Sequence, residues 1–252
     1  MAELAGKVAL VTGAGQGVGQ GIALALAAAG VAVVAAGRTE AKVAATADTI
    51  SARSGRALAV VCDVFNPEDI TRTVARTVAA FGGIDILVNN AYDGAFGPLL
   101  SLDDAAFMRG FNSGPLASFR FMRACHPHLK ARGGGNIVNL VTSAAVRWDG
   151  SNYGAYAVAK QAVRALTRAA ASEWGVDNIR VNSIAPLAAS PALARWIEND
   201  PEAQTFFATV ALKRVGDCEA DIGRAVVALV SPEMGYLTGA TIPLDGGQAY
   251  FG

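Results

Sequence analysis

The sequence is poor in the residues that most often bind metals. It has two histidines and three cysteines among 252 residues. Cys62, Cys125 and Cys218 are far apart, and neither their odd number nor their spacing matches a disulfide framework or a zinc ligand set. His126 and His128 have no further ligand type close by in the sequence, which favours a structural or solvent role. The sequence therefore predicts free thiols, a reducing compartment such as the cytoplasm, and no metal site.

An excess of charge of either sign is also missing. Lys plus Arg and Asp plus Glu number 21 each, and charged residues make up only 17% of the chain. Without a basic block, nucleic acid and anionic membrane are poor candidates for a partner. Hydrophobic residues reach 52%, which favours a compact globular fold with a large core over disorder.

Only one stretch is long and apolar enough to raise the question of a membrane span. Residues 21–37 carry no charge. Gly30 divides this stretch into an Ala/Leu-rich segment and a β-branched segment, a pattern that indicates a helix, a stop and a buried strand. Residues 1–6 have no cationic region followed by an apolar core, so a signal peptide is not expected. We expect a cytoplasmic protein without a membrane segment.

Short apolar runs alternate with helical segments along the whole chain, which indicates a parallel sheet covered on both faces. The sequence predicts one doubly wound, Rossmann-like α/β domain over residues 1–252, with ligands bound at the carboxyl ends of about seven strands. Residues 187–216 interrupt the alternation, and we expect them to form a substrate lid of one or two short helices. The predicted strands are 8–11, 31–36, 57–61, 84–88, 136–141, 179–184 and 240–243.

A glycine-rich loop follows the first predicted strand. Its spacing is Gly13-x-x-x-Gly17-x-Gly19. The loop departs from the Gly-x-Gly-x-x-Gly dinucleotide pattern because Val18 stands where the third glycine would fall. The physical argument still holds, since glycines allow a tight turn and let the backbone approach a pyrophosphate at the start of a helix. The loop therefore predicts nucleotide binding.

Tyr156 and Lys160 are four residues apart in an Ala-rich segment that favours helix. Their side chains should share one helical face. A neighbouring ammonium ion favours the phenolate and lowers a tyrosine pKa that is about 10 in water. Such a proton donor suits carbonyl reduction or alcohol oxidation. Tyr153 lacks a lysine at this spacing, so Tyr156 is the candidate; on its own, the pair also fits a packed tyrosine beside a surface lysine.

Taken together, the glycine-rich loop and the Tyr-x-x-x-Lys pair resemble the short-chain dehydrogenase/reductase family. The resemblance covers essentially the whole chain, and several motifs in the same order are more specific than any one of them. The other matching segments are Asn89-Asn90-Ala91, 182–186 and 244–247.

The resemblance implies a catalytic tetrad of Asn112, Ser143, Tyr156 and Lys160. Tyr156 would exchange a proton with the substrate oxygen, and Ser143 would orient that oxygen and stabilise its developing negative charge. Lys160 would hold the nicotinamide ribose and lower the pKa of Tyr156. Asn112 would hold a water molecule that links Lys160 to solvent.

The family pattern also implies a set of cofactor-binding residues, in which Asp63 contacts the adenine ring. The choice between cofactors depends on Gly37, which stands where NAD-preferring relatives usually carry an acid, and on Arg38, which suits a 2′-phosphate. We therefore favour NADP(H) over NAD(H), although Glu40 is close and Gln16 stands where many NADP-preferring relatives have a basic residue. The full set is Gly13, Gln16, Gly17, Val18, Gly19, Arg38, Asp63, Val64, Asn90, Tyr156, Lys160, Pro186 and Ala188.

The substrate pocket is where the chain departs from its family. Tyr92 replaces the glycine of Asn-Asn-Ala-Gly, and Leu187 replaces the glycine of the usual Pro-Gly pair. With Trp148 they would line an apolar pocket beside Ser143 and Tyr156, which predicts a hydrophobic ketone or secondary alcohol as substrate. Trp196 fits this pocket, the core or a subunit interface.

Two other functions remain open from the sequence. A 3-oxoacyl-carrier-protein reductase would need a basic surface for its acidic carrier, and one predicted helix carries Arg120, Arg123, Lys130 and Arg132. A nucleotide-binding regulator without activity would explain Tyr92 and Leu187 but not the tetrad. The family resemblance also implies a homodimer or homotetramer.

Overall fold

The computed structural model describes residues 4–146, 152–199 and 210–249. Seven parallel strands form one sheet in the order β3-β2-β1-β4-β5-β6-β7. The chain order reverses between β1 and β4, which creates the crevice where open α/β sheets bind ligands. The doubly wound prediction is confirmed. The strands are β1 Val8–Thr12, β2 Ala32–Gly37, β3 Ala57–Val61, β4 Ile86–Asn89, β5 Gly135–Leu140, β6 Ile179–Pro186 and β7 Thr241–Leu244.

Helices cover both faces of the sheet. A capping residue and a glycine mark the ends of the third helix, which lies between Asn66 and Gly82. In the described part of the chain the helices are α1 Gly17–Ala28, α2 Glu40–Ala52, α3 Pro67–Phe81, α4 Asp104–Phe111, α5 Ala117–Ala131, α6 Gly154–Trp174, α7 Pro191–Asn199 and α8 Arg224–Val230.

The sequence predicts one long helical region from about 101 to 130, with a bend at Pro115, and the structure divides it. Asp103 caps α4 by accepting a hydrogen bond from the backbone N–H of Ala106 at 2.7 Å. A π-helical turn, Asn112–Leu116, then separates α4 from α5. Pro115 lies inside this turn and has no N–H to donate, which disfavours regular α-helical pairing there. The predicted bend is therefore a change of helix type.

Alternate residues of the strands feed two separate cores. In β1, Ala9 and Val11 pack with Ile22 and Leu26 of α1, whereas Leu10 packs on the other face with the core that includes Phe121 of α5. This alternation follows from the two-residue period of a strand. Because both faces are buried, every residue of β1 is buried as well.

The apolar stretch 21–37 divides as predicted. α1 ends at Ala28, Gly30 adopts a left-handed φ of +88°, and β2 follows from Ala32. No helix among the described residues is long and apolar enough to cross a membrane. In the same residues, no group of three or more His, Cys, Asp or Glu side chains is placed to hold a metal ion.

Candidate active site

The predicted site residues come together at the carboxyl edge of the sheet. Parallel strands all end at this edge, so residues far apart in sequence meet there. They are Gly13 after β1, Arg38 after β2, Asp63 and Val64 after β3, Asn90 after β4, Ser143 after β5, and Pro186 at the end of β6 with Leu187 and Ala188 just beyond.

The glycine-rich loop is held in place by Asn90. The Asn90 side chain donates from Nδ2 to the carbonyl oxygens of Thr12 at 2.9 Å and Gly13 at 3.1 Å. A Cβ on Gly13 would lie 2.6 Å from that same nitrogen, and Gly13 has a φ of +65°. A Cβ on Gly19 would collide with the same Asn90 nitrogen. Glycine is thus required by the packing as well as by the turn.

The start of α1 is suited to bind an anion. Gln16, which precedes the helix, makes no capping hydrogen bond with its side chain, and the first turn, which includes Gly17 and Val18, contains no acidic residue. The first N–H groups of a helix have no partner within the helix and carry a partial positive charge. A pyrophosphate fits these donors, so this part of the site agrees with the predicted dinucleotide.

Thr12 ties the two central strands together. Its Oγ1 accepts hydrogen bonds from the backbone N–H groups of Asn90 at 3.0 Å and Ala91 at 3.1 Å. The same hydroxyl donates to the carbonyl oxygen of Val88 at 3.3 Å. This role was not predicted, although Thr12 stands at the start of the glycine motif. The three bonds fix the β4 loop against the glycine-rich loop.

Arg38 is paired with a carboxylate that the sequence analysis missed. Its Nη1 lies 2.8 Å from Oδ2 of Asp93. Arg109 of α4 holds the same carboxylate through Nε at 3.1 Å and Nη2 at 2.8 Å. The hydrogen bond from Arg109, with the charge of Arg38, holds the pKa of Asp93 below its usual value. One carboxylate is therefore shared by two guanidinium groups beside the β2 end.

The predicted adenine-contacting residues lie beside the Arg109 side chain. Asp63 accepts a hydrogen bond at Oδ1 from the backbone N–H of Phe65 at 3.0 Å, which closes a tight turn after β3. Arg109 stacks over the Phe65 ring at 5.3 Å. Val64, between them, is buried. The contact of Asp63 with adenine stays a prediction.

Tyr156 and Lys160 lie on one face of α6, as their spacing predicts. Lys160 is only 4% exposed, and its Nζ donates to the carbonyl oxygen of Leu140 at 2.8 Å. The same nitrogen lies 4.7 Å from the ring centre of Tyr92 and 5.8 Å from that of Tyr156. Burial lowers the pKa of Lys160 to about 7, because the charged form loses its hydration. Lys160 can thus gain or lose a proton near neutral pH.

The pKa of Tyr156 differs in direction from the prediction. Burial raises it to about 12, and a side-chain hydrogen bond with Thr142 offsets only part of that rise. The predicted lowering depends on a full positive charge at Lys160, whose own burial favours its neutral form. Of the protein groups alone, burial is therefore the dominant influence on Tyr156, which stays protonated at neutral pH.

Three aromatic side chains surround the Tyr156 ring, and we call them the aromatic enclosure. The ring centres of Tyr92, Phe96 and Tyr153 lie 4.9, 5.3 and 6.2 Å from that of Tyr156. Phe96 also meets Tyr153 edge to face at 5.6 Å and is 55% exposed. The enclosure surrounds the Tyr156 ring with other aromatic rings, of which Phe96 is exposed to solvent. Trp148 lies outside the described residues, as does the side chain of Trp196.

Tyr92 fills a space that neighbouring glycines leave open. A Cβ on Gly110 would lie 2.6 Å from the Tyr92 hydroxyl, and one on Gly114 would touch the ring at 3.4 Å. That hydroxyl is buried without a hydrogen-bond partner in the described part of the chain. The Lys160 nitrogen lies over the ring at 4.7 Å from its centre, where the protonated form makes a cation–π contact. Replacement of the family glycine by Tyr92 thus changes the surroundings of both Lys160 and Tyr156.

Leu187, the other departure from the family, lies in an extended segment. Its backbone N–H donates to the carbonyl oxygen of Leu244 at 3.0 Å, and its carbonyl accepts from Gly216 at 3.2 Å. Ala188 forms a bridge with Gly216. A Cβ on Gly17 would lie 3.1 Å from Cβ of Ser190. The segment before α7 therefore lies against the glycine-rich loop, and the predicted lid beyond it is only partly within the described residues.

Ser143 and Asn112 lie on short irregular turns. Ser143 begins a 3₁₀ turn after β5, is 7% exposed, and donates from Oγ to Oε1 of Gln248 at 2.8 Å. Gln248 was not among the predicted residues, since 105 positions separate it from Ser143. Asn112 begins the π-helical turn, where its carbonyl accepts from the N–H of Ala117. The water relay assigned to Asn112 stays a prediction.

Comparison with known proteins places this site in a family. A family model described as enoyl-(acyl carrier protein) reductase matches residues 13–249. The 12alpha-hydroxysteroid dehydrogenase of Clostridium sp. is 38% identical over 253 residues, which cover 96% of each chain. Dehydrogenase/reductase SDR family member 4 of Homo sapiens is 34% identical over 97% of this chain and 88% of its own.

A solved structure shows the same fold. It is a 7 alpha-hydroxysteroid dehydrogenase complexed with NADH and 7-oxo glycochenodeoxycholic acid, similar with a TM-score of 0.93 and 32% identity over 98% of this chain and 96% of that one. Family model, relatives and solved structure agree with the family resemblance drawn from the sequence. The chain belongs to the short-chain dehydrogenase/reductase family of nicotinamide-dependent oxidoreductases.

Proposed function

We propose that this protein is an NADP(H)-dependent carbonyl reductase or alcohol dehydrogenase that acts on a hydrophobic ketone or secondary alcohol. The observation that carries the proposal is the Tyr156 phenol, set in the aromatic enclosure beside buried Lys160. A phenol in apolar surroundings suits a substrate whose carbonyl is its main polar group.

The site contains groups that fit a dinucleotide. The start of α1 would hold the pyrophosphate, Arg38 a 2′-phosphate, and Asp63 with Val64 the adenine. Lys160 and Tyr156 would hold the nicotinamide ribose, with Pro186 and Ala188 beside the ring. Bound there, the nicotinamide supplies or accepts the hydride.

Side chains of the protein donate the proton to the substrate oxygen and replace it afterwards. In the reducing direction, Tyr156 gives its phenolic proton to the substrate oxygen, and Ser143 donates a hydrogen bond to that same oxygen. Lys160 stabilises the tyrosinate that remains and passes a proton to it. Its pKa of about 7 suits this transfer near neutral pH. Asn112 would connect Lys160 to solvent through a water molecule.

The preference for NADP(H) rests on Arg38. No acidic side chain stands at Gly37 to bind a ribose 2′-hydroxyl, and Arg38 is exposed beside the end of β2. A guanidinium binds phosphate through paired hydrogen bonds. The 2′-phosphate would have to compete with Asp93, which already lies 2.8 Å from Arg38.

The favoured substrate class is a bulky polycyclic ketone or its alcohol. Two similar proteins are named hydroxysteroid dehydrogenases, one of them bound to an oxo bile acid. Phe96 of the enclosure is exposed, as are Leu99, which lies beside Gly154, and Leu100, which follows it. We further propose a homodimer or homotetramer in the cytoplasm.

The carrier-protein alternative depends on Arg120, Arg123, Lys130 and Arg132, and two of these four cations are paired with carboxylates. Lys130 contacts Asp177 at 2.8 Å, and Arg132 contacts Asp85 at 3.2 Å. A paired cation is a weaker docking site for an acidic carrier. A regulator without activity is disfavoured because it has no need for Lys160 buried beside Tyr156.

The test is a pair of binding titrations followed by a substrate panel. NADPH and NADH are titrated separately, and the tighter cofactor is used with cyclohexanone, acetophenone, 2-decalone, a 7-oxo and a 12-oxo bile acid, and an acetoacetyl thioester. We expect tighter NADPH binding and the fastest reduction of a polycyclic ketone. Tighter NADH binding would contradict the cofactor assignment, and no reduction of any ketone would favour the regulator.

A further inference from the structure

The loop after β7 is rigidly held by one carboxylate. Asp245 is 3% exposed, and its oxygens accept the backbone N–H groups of Gly247 at 3.0 Å, Gln248 at 3.2 Å and Ala249 at 3.0 Å. Gly246 and Gly247 both have left-handed φ values, +68° and +83°. Three charge-assisted hydrogen bonds on consecutive N–H groups leave the backbone of this turn little freedom.

This turn brings Gln248 to the predicted catalytic serine. Ser143 Oγ and Gln248 Oε1 are 2.8 Å apart. The Nε2 of the same amide is buried without a hydrogen-bond partner in the described residues. A buried N–H without a partner is costly, so such a group usually has a role or the amide is turned over. The two ends of a glutamine amide have nearly the same shape, and rotation by 180° exchanges them.

The orientation of the amide decides what Ser143 can do. A serine hydroxyl has a single proton. If that proton is donated to Oε1 of Gln248, it cannot also be donated to a substrate oxygen. With the amide turned over, Nε2 donates to Ser143 Oγ, and the serine proton is available to the substrate.

We propose that Gln248 is a positioning residue that donates a hydrogen bond to Ser143 Oγ and so directs the serine proton to the substrate oxygen. This inference rests on the proposed role of Ser143 in carbonyl reduction. It gives the C-terminal turn a function in the reaction, because Asp245 fixes the backbone from which the Gln248 side chain extends. Gln248 itself neither gains nor loses a proton.

The deciding variant is Gln248→Glu, which keeps the shape and changes the donor. A protonated carboxyl can donate a hydrogen bond to Ser143 Oγ. An ionised one can only accept, so the Ser143 O–H then donates to the carboxylate and not to the substrate. We expect kcat, measured with the fastest ketone of the panel, to fall as pH rises through the range where this carboxyl ionises. At neutral pH we expect a loss of about 100-fold, the magnitude seen on removal of one oxyanion donor.

Comparing kcat of Gln248→Glu with that of wild type at each pH isolates the effect of the introduced carboxyl group. In the described part of the chain, the titratable groups near Ser143 and Gln248 include Asp245, which holds the Gln248 turn, and Tyr156 and Lys160 of α6, which packs against the Ser143 turn. All three are present in both proteins. The ratio of the two kcat values at each pH therefore reports the residue at 248. Gln248→Met, which cannot donate a hydrogen bond and accepts one only weakly, should lose about 10-fold in kcat at every pH, the magnitude of one lost hydrogen bond. The affinity for NADPH and the melting temperature of each variant show that it is folded.

Ser143→Ala, assayed in parallel, tests the proposed role of Ser143 separately from that of Gln248. If it keeps wild-type kcat, the proposed role of Ser143 fails, whatever Gln248 does. If Ser143→Ala is impaired but Gln248→Glu keeps the wild-type rate and pH profile, the inference about Gln248 is overturned. A wild-type rate for Gln248→Met would overturn it too. A pH-dependent loss in Gln248→Glu with a flat loss in Gln248→Met supports it.

Discussion

Asp93 places a negative charge between the two guanidinium groups nearest the proposed 2′-phosphate position. Arg109 holds it with two hydrogen bonds and Arg38 with one contact. Because Arg109 alone can keep the carboxylate in place, Arg38 can turn to a phosphate while Asp93 stays. The remaining carboxylate would then repel the phosphate, so Asp93 should limit the affinity for NADPH.

Replacement of Asp93 by Asn should therefore tighten NADPH binding. We expect the Kd for NADPH to fall about two- to fivefold, the magnitude of an exposed ion pair, with little change for NADH. Fluorescence titration at one low salt concentration measures both. Asp104→Asn, which removes an exposed carboxylate from the first turn of α4, is the matched control. Unchanged or weaker NADPH binding in Asp93→Asn would contradict the account.

Lys160 couples the proposed chemistry to stability. Its pKa is about 7 in the folded protein and would be about 10.4 in the unfolded chain. Between these two pH values the unfolded state binds a proton that the folded state lacks. The free energy of unfolding therefore increases as the pH rises. The slope is at most about 1.4 kcal/mol per pH unit.

Lys160→Met should remove this gain. We expect the free energy of unfolding of wild type, minus that of the variant, to increase from pH 7 to pH 9 in urea titrations. Cys125 and Tyr156 have raised pKa values, which lower the free energy of unfolding as the pH rises in the alkaline range. Both groups are present in the two proteins, so their contributions cancel in the difference. A difference that does not depend on pH would show that the lysine keeps its ordinary pKa in the folded state.

At the scale of single elements, two helix starts form a natural comparison. Asn66 caps α3 by accepting the backbone N–H of Glu68 at 2.9 Å. Thr39 occupies the same position before α2 but makes no capping bond with its side chain. The two residue types have similar capping preferences, so the difference lies in the contact that is made.

Asn66→Ala should cost about 1 kcal/mol of unfolding free energy, the usual value for a lost cap. Thr39→Ala should cost clearly less, because it removes no such bond. Chemical denaturation of both variants under one condition gives the two values. Equal losses would mean that the Asn66 contact does not stabilise α3.

The sequence predicts the end of a helix or strand correctly where a glycine or a capping residue marks it. Gly30 separates α1 from β2, and the Asn66-Pro67 pair starts α3. The π-helical turn at Asn112 was not foreseen, since its extra residue per turn disturbs the helical period without leaving a distinct pattern. A proline at 115 signals a disturbance but does not specify its type.

At the scale of the whole molecule, the sheet order explains how much of the site could be predicted. Residues just after a strand meet at the carboxyl edge, so the motifs alone located Gly13, Asn90 and Ser143. The contacts of Arg38 with Asp93 and of Ser143 with Gln248 join loops that are far apart in the sequence, and no short motif encodes them. The same limit applies to the aromatic enclosure, where the loop after β4 meets the start of α6.

Tyr156→Phe tests most directly whether Tyr156 is the proton donor of a ketone reductase. Oxidation of NADPH is followed with the fastest ketone of the panel, and NADPH binding is titrated separately. Tyr236→Phe, a change at a fully exposed ring, is the matched control.

We expect Tyr156→Phe to lower kcat at least about 100-fold, as loss of a general acid does, while NADPH still binds and Tyr236→Phe turns over normally. Turnover by Tyr156→Phe at the rate of Tyr236→Phe would contradict this role of Tyr156.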